Sequence, residues 1–131
     1  MIKYIAGAAF LIAGVGTAAA ETHSGDVRAN RSTIVNKHFY YNAQQCTSGP
    51  IAQVKLKKKP KHGTVKIVRA TWSPPKGKRC SNKKFKGVDI IYTPKKGYRG
   101  PDEFSTKYSM PRYTQGSALN YYGDTYKVQV K

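Results

Sequence analysis

The chain has 131 residues, with 24 Lys and Arg against 6 Asp and Glu, for a formal net charge of +18 at pH 7. That length suits one domain of the usual size, about 100–150 residues, and excludes a second core. So large a basic excess repels itself on compaction and builds a surface potential that favours polyanionic partners.

Residues 1–20 fall into a short start carrying Lys3, an apolar run from Ile5 to Val15, and the small-residue run Gly16-Thr17-Ala18-Ala19-Ala20 ahead of Glu21. This is the layout of a cleaved secretory signal peptide. The apolar run falls well short of the roughly 20 residues needed to cross a bilayer, and no later stretch resembles a span. The mature chain is therefore expected to lack a transmembrane segment and to reside in the periplasm or outside a bacterial cell. Removing the leader leaves 23 basic against 6 acidic side chains, +17.

Export places Cys46 and Cys80 in an oxidising compartment, where a single disulfide between them is expected. No CxxC or HxxxH spacing accompanies them, and His23, His38 and His62 are scattered, so neither metal nor cofactor is expected. Residues 21–32 are polar and aperiodic and read as a flexible N-terminal arm ahead of the domain at 33–131.

Beyond the arm the chain alternates short stretches of β-branched and aromatic residues with Gly, Pro, Asn and Asp, the pattern of an all-β fold. Strands are expected over 33–42, 51–57, 63–71, 87–93, 103–109 and 122–131. The last has clear period two, with Tyr126, Val128 and Val130 opposed to Lys127, Gln129 and Lys131. In the third, Val68 breaks the alternation of Val65, Lys66 and Ile67. In the fourth, Ile91 lies opposite Val88, Ile90 and Tyr92, which points to cover on both faces or to a bulge. A sandwich of about six to seven strands buries one face of each. If the strands run alternately up and down, the loops holding Cys46 and Cys80 share one end, and residues 58–62 and 94–102 share the other.

Pro60-Lys61-His62-Gly63-Thr64-Val65, Ile91-Tyr92-Thr93-Pro94 and Gly97-Tyr98-Arg99-Gly100-Pro101-Asp102-Glu103-Phe104 resemble, in order, three motifs of a bacterial immunoglobulin-like, cadherin-like repeat family. The resemblance implies an immunoglobulin-like β-sandwich used for adhesion, spacing or binding, and fold alone does not choose among these. The acidic linker motifs that bind calcium in tandem members are missing, so calcium bridging is not carried over. Independently of the family, Asp102 reads as a turn cap, and Tyr98 and Phe104 as core anchors.

Function is expected at the cations. Residues 55–86 hold thirteen Lys and Arg and no acid. The candidate polyanion-binding residues are Lys57, Lys58, Lys59, Lys61, Lys76, Lys78, Arg79, Lys83, Lys84, Lys86 and Arg112. Trp72, Tyr113, Tyr121 and Tyr122 are candidates for stacking on sugar or base faces. Lysine dominance suits diffuse attraction better than bidentate recognition. No acid pair or nucleophile motif supports catalysis, so no enzyme is expected. The sequence thus reads as a monomeric binding domain for an anionic envelope polymer such as lipopolysaccharide or acidic polysaccharide. The alternatives are a structural module docking an acidic protein or, less favoured, a cationic effector acting on membranes or nucleic acid.

Overall fold

The computed structural model describes residues 11–12, 20–111 and 118–131. The expected leader lies outside them, apart from the backbone of Leu11, Ile12 and Ala20. Ten strands follow in chain order: β1 (Leu11–Ile12), β2 (Ala20–Val27), β3 (Thr33–His38), β4 (Tyr41–Asn42), β5 (Thr47–Ser48), β6 (Gln53–Lys58), β7 (Gly63–Trp72), β8 (Phe85–Pro94), β9 (Gly100–Pro111) and β10 (Leu119–Val130). Among the described residues there is no helix, and hence none long and apolar enough to cross a membrane.

Two sheets face each other, one ordered β1-β2-β10-β9-β6 and the other β3-β8-β7, with β4-β5 as a small separate hairpin. With β1 set aside, the two sheets form a β-sandwich of four and three strands, as expected for the fold class. The core joins both sheets: Val27, Phe104, Tyr126, Val128 and Val130 from the larger meet Val35, Ile90 and Tyr92 from the smaller. The rings of Tyr92, Phe104 and Tyr126 stack in series, with centroids 5.8 and 4.7 Å apart.

The period-two reading of the last strand holds, since Tyr126, Val128 and Val130 are buried while Lys127, Gln129 and Lys131 are exposed. Register resolves the irregular positions. Val65 and Ile67 pair with Tyr92 and Ile90 on the inner face, so Val68 stands outside opposite Asp89 and alternation is kept. The bulge near Ile91 belongs to its neighbour β3, between Ile34 and Asn36.

The N-terminal arm needs correction. Most of residues 21–32 is strand, because β2 pairs in parallel with β10 from Ala20 to Val27. Its residues have weak strand propensity, but a partner already fixed by β9 supplies the ladder that local sequence does not favour. Burial of Val27 and His23 adds to the docking.

The outer face of the smaller sheet carries a second aromatic cluster. Tyr41 stacks on Phe85 at 4.4 Å, and Trp72 packs against Tyr41 and Phe39. Gly87 makes room for this crossing, since a Cβ there would strike the carbonyl of His38 and the Phe39 ring. β4 carries Tyr41 into the hairpin that holds Cys46, and the Cys46–Cys80 disulfide closes over this region with S–S 2.01 Å. Arg79 strengthens the closure, donating from Nε to the Ala43 carbonyl at 2.6 Å and from Nη2 to that of Gln44 at 2.7 Å.

At the other end Asp102 caps the turn ahead of β7. Its Oδ1 accepts the Lys61 N–H at 3.0 Å, and its Oδ2 accepts the His62 N–H at 3.1 Å and the Tyr92 hydroxyl at 2.7 Å. The alternating strand directions and both loop groupings are therefore as expected. Phe104 is a core anchor, and Tyr98, half-buried, packs against the core cluster and stacks on His62 at 4.1 Å.

Replacing both cysteines, Cys46→Ala with Cys80→Ala, should cost about 4 kcal/mol, the chain-entropy value for closing a loop of about 35 residues. The drop is to be read as a shift in denaturant midpoint between the oxidised protein and the double variant.

Candidate functional site

Few of the cations are neutralised. Among the described residues only Lys37, on Asp89 at 3.0 Å, and Lys131, on Asp26 at 2.9 Å, form ion pairs with carboxylates. Asp102 is committed to backbone N–H groups and to Tyr92, while Glu21 and Asp124 flank His23. Most of the positive charge therefore faces solvent.

On the outer face of the larger sheet, Lys55 of β6 and Lys107 of β9 are direct register partners. Like charges placed opposite each other on a sheet are destabilising. Together with Gln53, Ser109 and Tyr121 they line a groove of about 310 Å³. Tyr121 is 71% exposed, so its ring is free on this face. A second cleft, of about 470 Å³ at the opposite end of the sandwich, gathers Lys58, Lys59, Lys61 and Lys127 beside Glu103.

The expected cations are divided between the two ends. Lys58, Lys59 and Lys61 join the second cleft, with Lys57 exposed beside them at the end of β6. Lys76, Lys78, Lys83, Lys84 and Lys86 are exposed in and around the disulfide loop. Arg79 instead holds the Cys46 hairpin, where its fixed fork matches two carbonyls.

Two stacking candidates are engaged in packing. Trp72 is half-buried against Phe39 and Tyr41, and Tyr122 stacks on Tyr108 at 5.0 Å. Arg112 and Tyr113 lie outside the described residues. Sequence reasoning missed Lys107 and Gln53, which register brings to the groove, and counted Lys55 only within the basic run 55–86. The period-two pattern of β9 was the available signal, because Glu103, Ser105, Lys107 and Ser109 alternate with Asp102, Phe104, Thr106 and Tyr108.

The interior is polar towards the disulfide end. His23 Nε2 lies 3.1 Å from Asp124 Oδ1 and 3.8 Å from Glu21 Oε2, and its ring stacks on Tyr126 at 4.8 Å. Tyr126 in turn accepts a hydrogen bond from Asn36 at 2.8 Å. His38 reaches in from β3, with Nδ1 2.9 Å from the Tyr40 hydroxyl and its ring 4.5 Å from Tyr108. Three buried atoms here, His38 Nε2, Thr106 Oγ1 and Asp124 Oδ2, have no hydrogen-bond partner. The histidines are thus scattered in sequence only: His23 and His38 share the field of Asp124, while His62 sits at the far end.

Burial lowers the pKa of His38, opposed by the Asp124 carboxylate and aided by His23. The phenols of Tyr92, Tyr108 and Tyr126 are raised, in each case first by burial. The next cause is the hydrogen bond to Asp102 for Tyr92, the Tyr40 hydroxyl for Tyr108, and the Asp124 carboxylate for Tyr126.

Comparison with protein families, with curated proteins and with solved structures returns no match.

These shifts predict loss of stability at both pH extremes. A phenol raised in the folded state stabilises fully below its unfolded pKa of about 10, and that contribution fades as pH climbs towards the folded value. Ultraviolet absorbance should show a tyrosine fraction that ionises only as the chain unfolds. His38, lowered by folding, stabilises above its unfolded pKa of about 6.5 and destabilises as pH falls through the folded value. Thermal melts should therefore drop on going from neutral to mildly acidic buffer, and His38→Gln should flatten that slope.

Proposed function

We propose that this chain is an exported, non-enzymatic binding domain of the bacterial immunoglobulin-like type, drawn to an anionic polymer of the cell envelope. The observation that carries the reading is the Lys55–Lys107 pair facing its own like charge across two strands, beside an exposed Tyr121 in an open groove. A phosphate or carboxylate seated between the two ammonium groups relieves their repulsion. Tyr121 offers a flat apolar face to a sugar ring, and Gln53 and Ser109 offer hydrogen bonds to its hydroxyls. Lysine ammonium groups act as point charges and accept many anion geometries, which suits a heterogeneous polymer.

The cleft around Lys58, Lys59 and Lys61 and the exposed lysines of the disulfide loop extend the positive field to both ends of the domain. That distribution favours a long polyanion over a small ligand. Charge of this size also raises encounter rates at low salt. The disulfide and the signal-like leader support residence in the periplasm or outside the cell.

Retention on a lipopolysaccharide or sulfated-glycan resin should fall steeply as salt rises, as it does when cations release counterions from a polyanion. Lys55→Ala with Lys107→Ala should weaken binding about tenfold, close to 1.4 kcal/mol, and lower the salt slope. Tyr121→Ala should weaken glycan binding while leaving that slope unchanged. Salt-insensitive retention, or a double lysine variant that binds like the parent, would overturn the proposal.

A further inference from the structure

Six acids serve the whole chain, yet two of them converge on one buried imidazole. Glu21 and Asp124 are register partners on adjacent parallel strands, and both approach His23 Nε2. Two carboxylates side by side repel each other just as two lysines do. A proton on His23 satisfies one oxygen at a time and leaves Asp124 Oδ2 unpartnered in a residue only 5% exposed. Stranding a buried carboxylate oxygen costs free energy that a hydrogen-bonded network would recover. Another unpartnered atom, His38 Nε2, belongs to a residue 4% exposed whose ring feels both Asp124 and His23.

We propose that Glu21, His23 and Asp124 bind a divalent transition-metal ion of the zinc class. The three donor atoms all lie within 4.8 Å of one another. Donors around a tetrahedral ion with bonds near 2.1 Å stand roughly 3.4 Å apart, so small side-chain movements suffice. Imidazole with carboxylate suits zinc and its neighbours, whereas calcium and magnesium require oxygen shells. Glu21, with a side chain 44% exposed, forms the entry to the site. Asp124 and Glu21 supply the negative charge that admits a cation to a strongly basic protein. Bound there, the ion staples β2 to β10.

The test is calorimetric titration of zinc chloride into chelator-stripped protein, with cobalt(II) visible absorption as a probe of coordination. One saturable equivalent, a raised melting temperature and a four-coordinate cobalt spectrum are expected. His23→Gln and Asp124→Asn should abolish binding, and Glu21→Gln should weaken it tenfold or more. His62→Gln, at the far end, should bind as the parent does. Glu21→Gln lies at the solvent-facing rim, so it keeps the test decisive if the buried variants fold poorly. Absence of stoichiometric zinc binding, or unchanged binding in Glu21→Gln and His23→Gln, would overturn the assignment. The double Lys55→Ala, Lys107→Ala variant should retain zinc, which separates this site from the polymer-binding reading.

Discussion

β10 is hydrogen-bonded along both edges, antiparallel to β9 from Leu119 to Val130 and parallel to β2 from Gly123 to Val130, so its register decides which side chains enter the interior. A one-residue slip would exchange its two faces, sending Tyr126, Val128 and Val130 to solvent and Lys127 and Gln129 inwards. The same register sets Asp124 beside Glu21, and Tyr126 beside His23 and Phe104. On the outer face it places Tyr121 against Ser109 at the lysine groove. Core, polar interior and outer groove are thus three consequences of one pairing.

Charge is sorted by the same alternation. Asp89, Asp102 and Asp124 are buried and take up Lys37, three backbone amides with Tyr92, and His23 respectively. The lysines, whose long stems can cover apolar surface while the ammonium stays in water, remain outside. With three of the six acids buried, most of the positive charge is left facing solvent. The cost is repulsion on the surface, concentrated where Lys55 meets Lys107.

The two ends of the sandwich are held by different chemistry. At one end a single carboxylate gathers the turn at Lys61 and His62 and the Tyr92 hydroxyl through hydrogen bonds. At the other, a covalent bridge and the Arg79 fork close the loops over Phe39, Tyr41, Trp72 and Phe85. The apolar core lies towards the Asp102 end and the polar interior towards the bridge. A polar interior contributes less hydrophobic stabilisation, and the bridge, by limiting the unfolded chain, offsets that deficit.

Sequence alone determined the all-β class, six of the strands to within a few residues, the Cys46–Cys80 bridge and the capping role of Asp102. These are local properties: period two, turn residues and cysteine count are written along the chain and need no knowledge of neighbours. Tertiary structure decided what depends on pairing between distant segments. Residues 21–27 lack the pattern of a strand and become one because β10 presents a free edge. Trp72 reads equally well as platform or packing until Phe39 and Tyr41 are placed against it. Lys55 and Lys107, or Glu21, His23 and Asp124, are unremarkable at their sequence separations. They become neighbours because strand register pairs Lys55 with Lys107 and Glu21 with Asp124, and no one-dimensional pattern encodes that proximity.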